Sequence, residues 1–122
     1  MIRTRLVMRN SAPLASGPSA ECTQDPCAQI DALATYLRSV GRKVMMTEFG
    51  GGNTASCEAL VCKALAEVNK NSDVFIGATT WSAGAFTTGY PLLETPMDGG
   101  QDQSLVASCI IPQLGANRTG GY

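Results

Sequence analysis

The chain has 122 residues, of which 44% are hydrophobic and 16% charged, with a formal net charge of −1, 13 glycines, five cysteines and no histidine. That is one domain's worth of chain, able to bury roughly two-thirds of its unfolded surface, so disorder is not the default expectation. A near-neutral charge with no Lys/Arg stripe argues against nucleic acid or an anionic membrane as partner. Without histidine there is no Ser-His or Cys-His pair and no imidazole metal ligand, which leaves acid–base chemistry to carboxylates, Lys, Tyr or Cys.

Residues 1–20 show neither helical nor strand periodicity and read as a tail. Within it, Arg3, Arg5 and Arg9 surround a three-residue apolar run, Leu6-Val7-Met8. A signal peptide needs roughly 7–15 uninterrupted apolar residues, and no segment approaches the ~20 of a membrane span, so neither is expected. Asp25-Pro26 predicts a helix start, since Asp25 can accept from first-turn N–H groups and Pro26 has no N–H to lose. Ile30, Leu33, Ala34, Leu37 and Val40 follow at helical spacing, and Gly41 supplies the stop. Arg42 to Thr47 predicts a strand, because Val44-Met45-Met46 is a short apolar run of the kind buried in parallel sheets. Glu48, Phe49 and a Gly50-Gly51-Gly52-Asn53 turn come next.

The pattern repeats. Thr54 or Ser56 caps a second predicted helix, with Leu60, Val61, Ala64, Leu65 and Val68 on one face and an end near Asn69-Lys70-Asn71. Val74 to Trp81 predicts a second strand, Ser82 to about Gln103 a long loop, Ser104 to Ile111 a last helix, and Pro112 to Tyr122 a polar, flexible tail. Strand, helix, strand in this order is a βαβ framework with parallel strands, hence an α/β fold.

The cysteines at 22, 27, 57, 62 and 109 contain no CxxC pair. With no histidine, that spacing is a weak zinc signal and a better disulfide signal, with one thiol left over. No metal and no cofactor are expected. The Gly-rich turn lacks the G-x-x-x-x-G-K-[ST] spacing of a phosphate loop. In an α/β fold a polar residue at the end of a strand, just before a glycine turn, sits at the mouth of the functional face, which makes Glu48 the leading candidate nucleophile or base. Trp81 closes the second strand at the same face, where a flat indole suits the C–H face of a sugar ring. Phe86 and Tyr90 suit anchoring of the loop, and Asn117-Arg118-Thr119 fits a glycosylation sequon in the tail.

The run Arg42-Lys43-Val44-Met45-Met46-Thr47-Glu48-Phe49-Gly50-Gly51-Gly52-Asn53 resembles the C-terminal part of secreted fungal endo-β-1,4-glucanases (cellulases) of glycoside hydrolase family 5. Ser56-Cys57, Asn69 to Val74, Trp81 to Phe86, Leu93-Glu94-Thr95-Pro96 and Ser104 to Cys109 extend the likeness, which covers about residues 16–111 and leaves 1–15 as an unmatched basic tail. The resemblance implies an incomplete (β/α)8 TIM barrel, represented here by about its last two strands and last three helices. It implies that Glu48 is the nucleophile after strand 7, and that Trp81 packs against the sugar beside the scissile bond. It implies the pairs Cys22–Cys57 and Cys62–Cys109, with Cys27 as the odd thiol. It further implies a monomeric, extracellular parent enzyme acting on β-1,4-glucan polysaccharide.

The same resemblance defines what the sequence lacks. The family's Asn-Glu-Pro acid/base motif and its strand-6 His and Tyr are absent, and Glu94 has no catalytic counterpart in it. Retaining hydrolysis needs two carboxyl groups, so the expectation is a fragment inactive alone. The alternatives are a non-catalytic carbohydrate-binding remnant that uses Trp81, and a gene-model fragment that does not fold.

Overall fold

The computed structural model describes residues 21–84 and 89–115. The basic tail, Phe86 and the sequon lie outside the described residues. In chain order the elements are helix α1 (Cys27–Ser39), strand β1 (Val44–Phe49), helix α2 (Ala55–Lys70), strand β2 (Phe75–Thr80), a π-helical turn (Val106–Ile110) and the short helix α3 (Ile111–Gly115). This is a partial α/β fold with two parallel strands, as the repeated helix and strand pattern predicts.

Local chemistry sets the helix ends. Asp25 Oδ1 accepts from the Cys27 N–H at 3.0 Å, and the Pro26 carbonyl accepts from Gln29 and Ile30 at 3.1 and 3.0 Å. At the other end Gly41 adopts φ +61°, which lets Arg42 N–H reach the Leu37 carbonyl and Gly41 N–H reach that of Arg38. Thr54 caps α2 by accepting from the Cys57 N–H at 3.3 Å. Arg38 then ties the two helices together. Its guanidinium grips Asp73 at 2.6 and 2.7 Å and donates to Asn71 Oδ1 at 2.6 Å, just beyond the end of α2.

The core lies between the helices and one face of the sheet. Ile30, Ala34 and Leu37 of α1, Val61, Ala64, Leu65 and Val68 of α2, and Val44, Met46, Phe49 and Phe75 of the strands form it, with Leu105, Cys109 and Ile110 completing one side. α2 is the hub, in contact with α1, β2, the π-helical turn and α3. Disulfides join it to both flanks, Cys22–Cys57 and Cys62–Cys109, with Cα atoms 4.8 and 5.1 Å apart. Cys27 is the free thiol, and burial followed by the hydrogen bond to Asp25 pushes it up to about 11, so it stays protonated and inert at neutral pH.

The bounds of both strands and of the last helix differ from the sequence-based expectation, and β1 begins at Val44 instead of Arg42. β1 runs to Phe49, because the Phe49 carbonyl accepts from the Trp81 N–H at 2.7 Å and extends the pairing past Glu48. β2 is correspondingly trimmed to Phe75–Thr80. Helical structure also continues through Pro112 to Gly115 instead of stopping at Ile111. The wide π-helical turn accounts for this: Ile111 N–H reaches back five residues to the Val106 carbonyl, easing the clash that a proline ring has with a tight preceding turn.

Candidate active site

Both sequence-predicted site residues sit at the C-terminal end of the parallel strands. Glu48 is half-buried near the end of β1, and Trp81, 44% exposed, follows the last residue of β2. The register explains how Glu48 is presented. Met46 pairs with Ala78 and Phe49 with Thr80, so β1 carries one extra residue across Thr47 and Glu48. Met46 and Phe49 both face the core, and the bulge turns the intervening pair away from it. The Thr79 hydroxyl donates to the Thr47 carbonyl at 2.7 Å, giving that group a partner inside the irregularity.

The glycines after Glu48 allow very close packing. A Cβ on Gly50 would lie 2.2 Å from the Trp81 carbonyl oxygen, and one on Gly51 would lie 2.9 Å from both Cys22 Sγ and Cys57 Cβ. The turn that carries Glu48 is therefore wedged between the Trp81 backbone and a disulfide. The Trp81–Ser82 peptide is cis, and the indole Nε1–H donates to the Tyr90 hydroxyl at 2.7 Å.

A segment that periodicity could not single out, Leu92 to Thr95, stitches the two turns together. Asn53, at the end of the Glu48 turn, donates to the Leu93 carbonyl at 2.9 Å while its Oδ1 accepts from Leu105 N–H at 3.2 Å. Ser82 N–H donates to the Leu92 carbonyl at 3.2 Å, and Glu94 N–H to the Ser82 carbonyl at 3.0 Å. Thr95 Oγ1 bonds both the N–H and the carbonyl of Gly84 at 2.8 Å. Thr80 Oγ1 donates to Glu94 Oε2 at 2.8 Å. Glu94 is buried, and burial pushes its carboxyl above the ordinary glutamate range, opposed by the Thr80 hydrogen bond. The only signal of this in the sequence is an acidic residue set in the apolar run Leu92-Leu93-Glu94.

Among the described residues no three His, Cys, Asp or Glu side chains gather as metal ligands, and no helix is long and apolar enough to cross a membrane. Chemically, the end of the sheet offers a half-buried carboxylate on a bulged strand, an exposed indole at the end of the neighbouring strand, and closely packed backbone between the two strand ends.

Comparison with known proteins gives a consistent result. Residues 7–85 match the family model "Cellulase (glycosyl hydrolase family 5)". Endoglucanase EG-II of Hypocrea jecorina is 43% identical over 99 residues, which are 78% of this chain and 24% of that protein. The manganese dependent endoglucanase Eg5A of Phanerodontia chrysosporium is 39% identical over 100 residues, 81% of this chain and 26% of its own length. Among solved structures, Cel5A (EG2) from Hypocrea jecorina superposes with a TM-score of 0.72 at 42% identity, covering 80% of this chain and 31% of that one. The endo-beta-1,4-glucanase Xac0029 from Xanthomonas axonopodis gives 0.73 at 29% identity, covering 87% and 34%. The chain thus spans about a quarter to a third of the length of these relatives. On this sequence match and this superposition, the chain belongs to the cellulases of glycosyl hydrolase family 5.

Proposed function

We propose that these residues form the C-terminal part of the (β/α)8 catalytic barrel of a secreted, retaining endo-β-1,4-glucanase, with β1 and β2 as its seventh and eighth strands. In this reading Glu48 is the nucleophile and Trp81 the sugar platform. The observation that carries it is the juncture of the two strand ends. The Trp81 N–H to Phe49 carbonyl bond and the glycine contact at Gly50 hold the end of the strand that carries Glu48 against the Trp81 backbone, which supports this reading. Glu48 would attack the anomeric carbon while a second carboxylic acid protonates the departing glycosidic oxygen. Water would then release the glycosyl-enzyme ester, with the second carboxylate taking the proton. Retaining enzymes place that partner about 5–5.5 Å from the nucleophile. The family's Asn-Glu-Pro partner does not occur in these 122 residues, so they are proposed to be inactive on β-1,4-glucan alone.

Two experiments test this. The purified 122-residue chain should release no more reducing sugar from carboxymethyl-cellulose than its Glu48→Gln variant, and turnover above that control would refute the inactivity. A chimaera in which residues 22–111 replace the matching stretch of Hypocrea jecorina EG-II should hydrolyse the same substrate. Glu48→Gln in that chimaera should lower kcat by roughly three orders of magnitude or more. A chimaera that folds and keeps its rate with Gln at position 48 would remove Glu48 from the mechanism.

A further inference from the structure

We propose that Glu94 is a positioning residue for Trp81, holding the main chain on both sides of the indole-bearing residue. Its side chain takes the residue before Trp81, through the Thr80 hydroxyl at 2.8 Å. Its main-chain N–H takes the residue after, through the Ser82 carbonyl at 3.0 Å. Leu92 repeats the second contact by accepting from the Ser82 N–H at 3.2 Å, and Tyr90 takes the indole N–H itself. Residues 90 to 94 thus hold Trp81 by its ring and by both neighbours.

The state of the carboxyl fits this part. Glu94 is 9% exposed, and its Oε1 is buried without a hydrogen-bond partner. A carboxylate with one oxygen sealed from water and unpaired is costly, and the neutral acid at that position costs less. Burial favours the neutral form, and a neutral carboxyl still accepts the Thr80 hydroxyl. An apolar residue of the same size would leave that hydroxyl without its acceptor. The positioning role stands on these contacts alone. Only its consequence for sugar binding rests on reading Trp81 as a sugar platform.

The experiment uses the 122-residue chain, in which Trp81 is the only tryptophan, so emission and acrylamide quenching report this residue alone. Glu94→Gln keeps a neutral acceptor and should retain the wild-type emission maximum and quenching. Glu94→Ala and Thr80→Val should shift the emission to the red and raise the quenching, with far-UV circular dichroism unchanged. Leu65→Ala, which weakens the core away from the site, should leave native emission unmoved, separating positioning from general stability. Wild-type emission in both Glu94→Ala and Thr80→Val would overturn the proposal, as would a Glu94→Gln shift as large as that of Glu94→Ala. If Glu94→Ala fails to fold, wild-type emission in Thr80→Val, or a Glu94→Gln shift as large as that of Thr80→Val, overturns the proposal. Titration with cello-oligosaccharide then tests the platform separately. Emission that follows the variants but never responds to sugar keeps the role of Glu94 and removes the sugar-platform reading.

Discussion

Gly50 is where the two candidate site residues constrain one another most tightly. A methyl group there would meet the Trp81 carbonyl oxygen at 2.2 Å, and backbone cannot rotate away as a side chain can. Gly50→Ala should therefore cost about 2–3 kcal/mol, read as a lowered urea midpoint with an unchanged slope. Glu94 gives a pH signature. Its folded-state pKa is raised, so folding binds a proton more tightly than the unfolded chain does above the ordinary value of 4.5. The associated stability is present in full below that value and declines as pH rises through the folded-state value. Urea midpoints measured across this window should fall in the wild type and flatten in Glu94→Gln. Asp25 and Asp73 act with the opposite sign, since Lys63 and Arg38 hold their carboxyls below the ordinary range. Their contribution is present above the ordinary aspartate range and is lost as acid protonates them. The positions of Glu48 and Trp81 at the C-terminal ends of the strands were legible in the sequence because each follows a recognisable apolar run. Glu94, Thr95 and Asn53 were not, because they act through single hydrogen bonds from irregular backbone that has no period to reveal them.

At the level of elements, legibility followed the locality of the interaction. The α1 stop at Gly41 and the Thr54 cap of α2 involve partners within five residues, and residue type alone predicts them. The β1 bulge depends on how two strands register, and neither strand contains that information by itself. The π-helical turn before Pro112 is similarly set by packing of Cys109 and Ile110 against α2. Thr79 offers a test of the bulge. Thr79→Val preserves shape and removes the donor to the Thr47 carbonyl, so it should cost about 1 kcal/mol. In the chimaera it should lower kcat more than it raises KM, because the bulge aims Glu48 while the rest of the binding surface is untouched.

For the whole molecule, the helix-facing side of the sheet is packed, whereas Met45, Ile76 and Trp81 remain exposed. A parallel pair is ordinarily covered on both faces and flanked by further strands, which agrees with a chain about a quarter to a third as long as its relatives. Covalent links compensate in part. Loops spanning 35 and 47 residues each restrict the unfolded chain by about 4 kcal/mol in the chain-entropy model. Dithiothreitol should therefore abolish the helical circular dichroism signal at a temperature where the oxidised chain retains it. A reduced chain with the oxidised melting curve would contradict this.

The two disulfides also divide the molecule in a particular way. Their spans follow one another without overlap, 22–57 and then 62–109, so residues 22–109 form two closed rings joined by Glu58-Ala59-Leu60-Val61, about one turn of α2. One ring holds Glu48 and the other holds Trp81 and Glu94. A single backbone cut inside either ring leaves one covalent molecule until it is reduced, whereas a cut in the four-residue link separates Glu48 from Trp81 outright. Apart from that link, the two halves of the candidate site are held in register by noncovalent contacts alone, foremost the pairing of β1 with β2 and the Asn53 bond to Leu93.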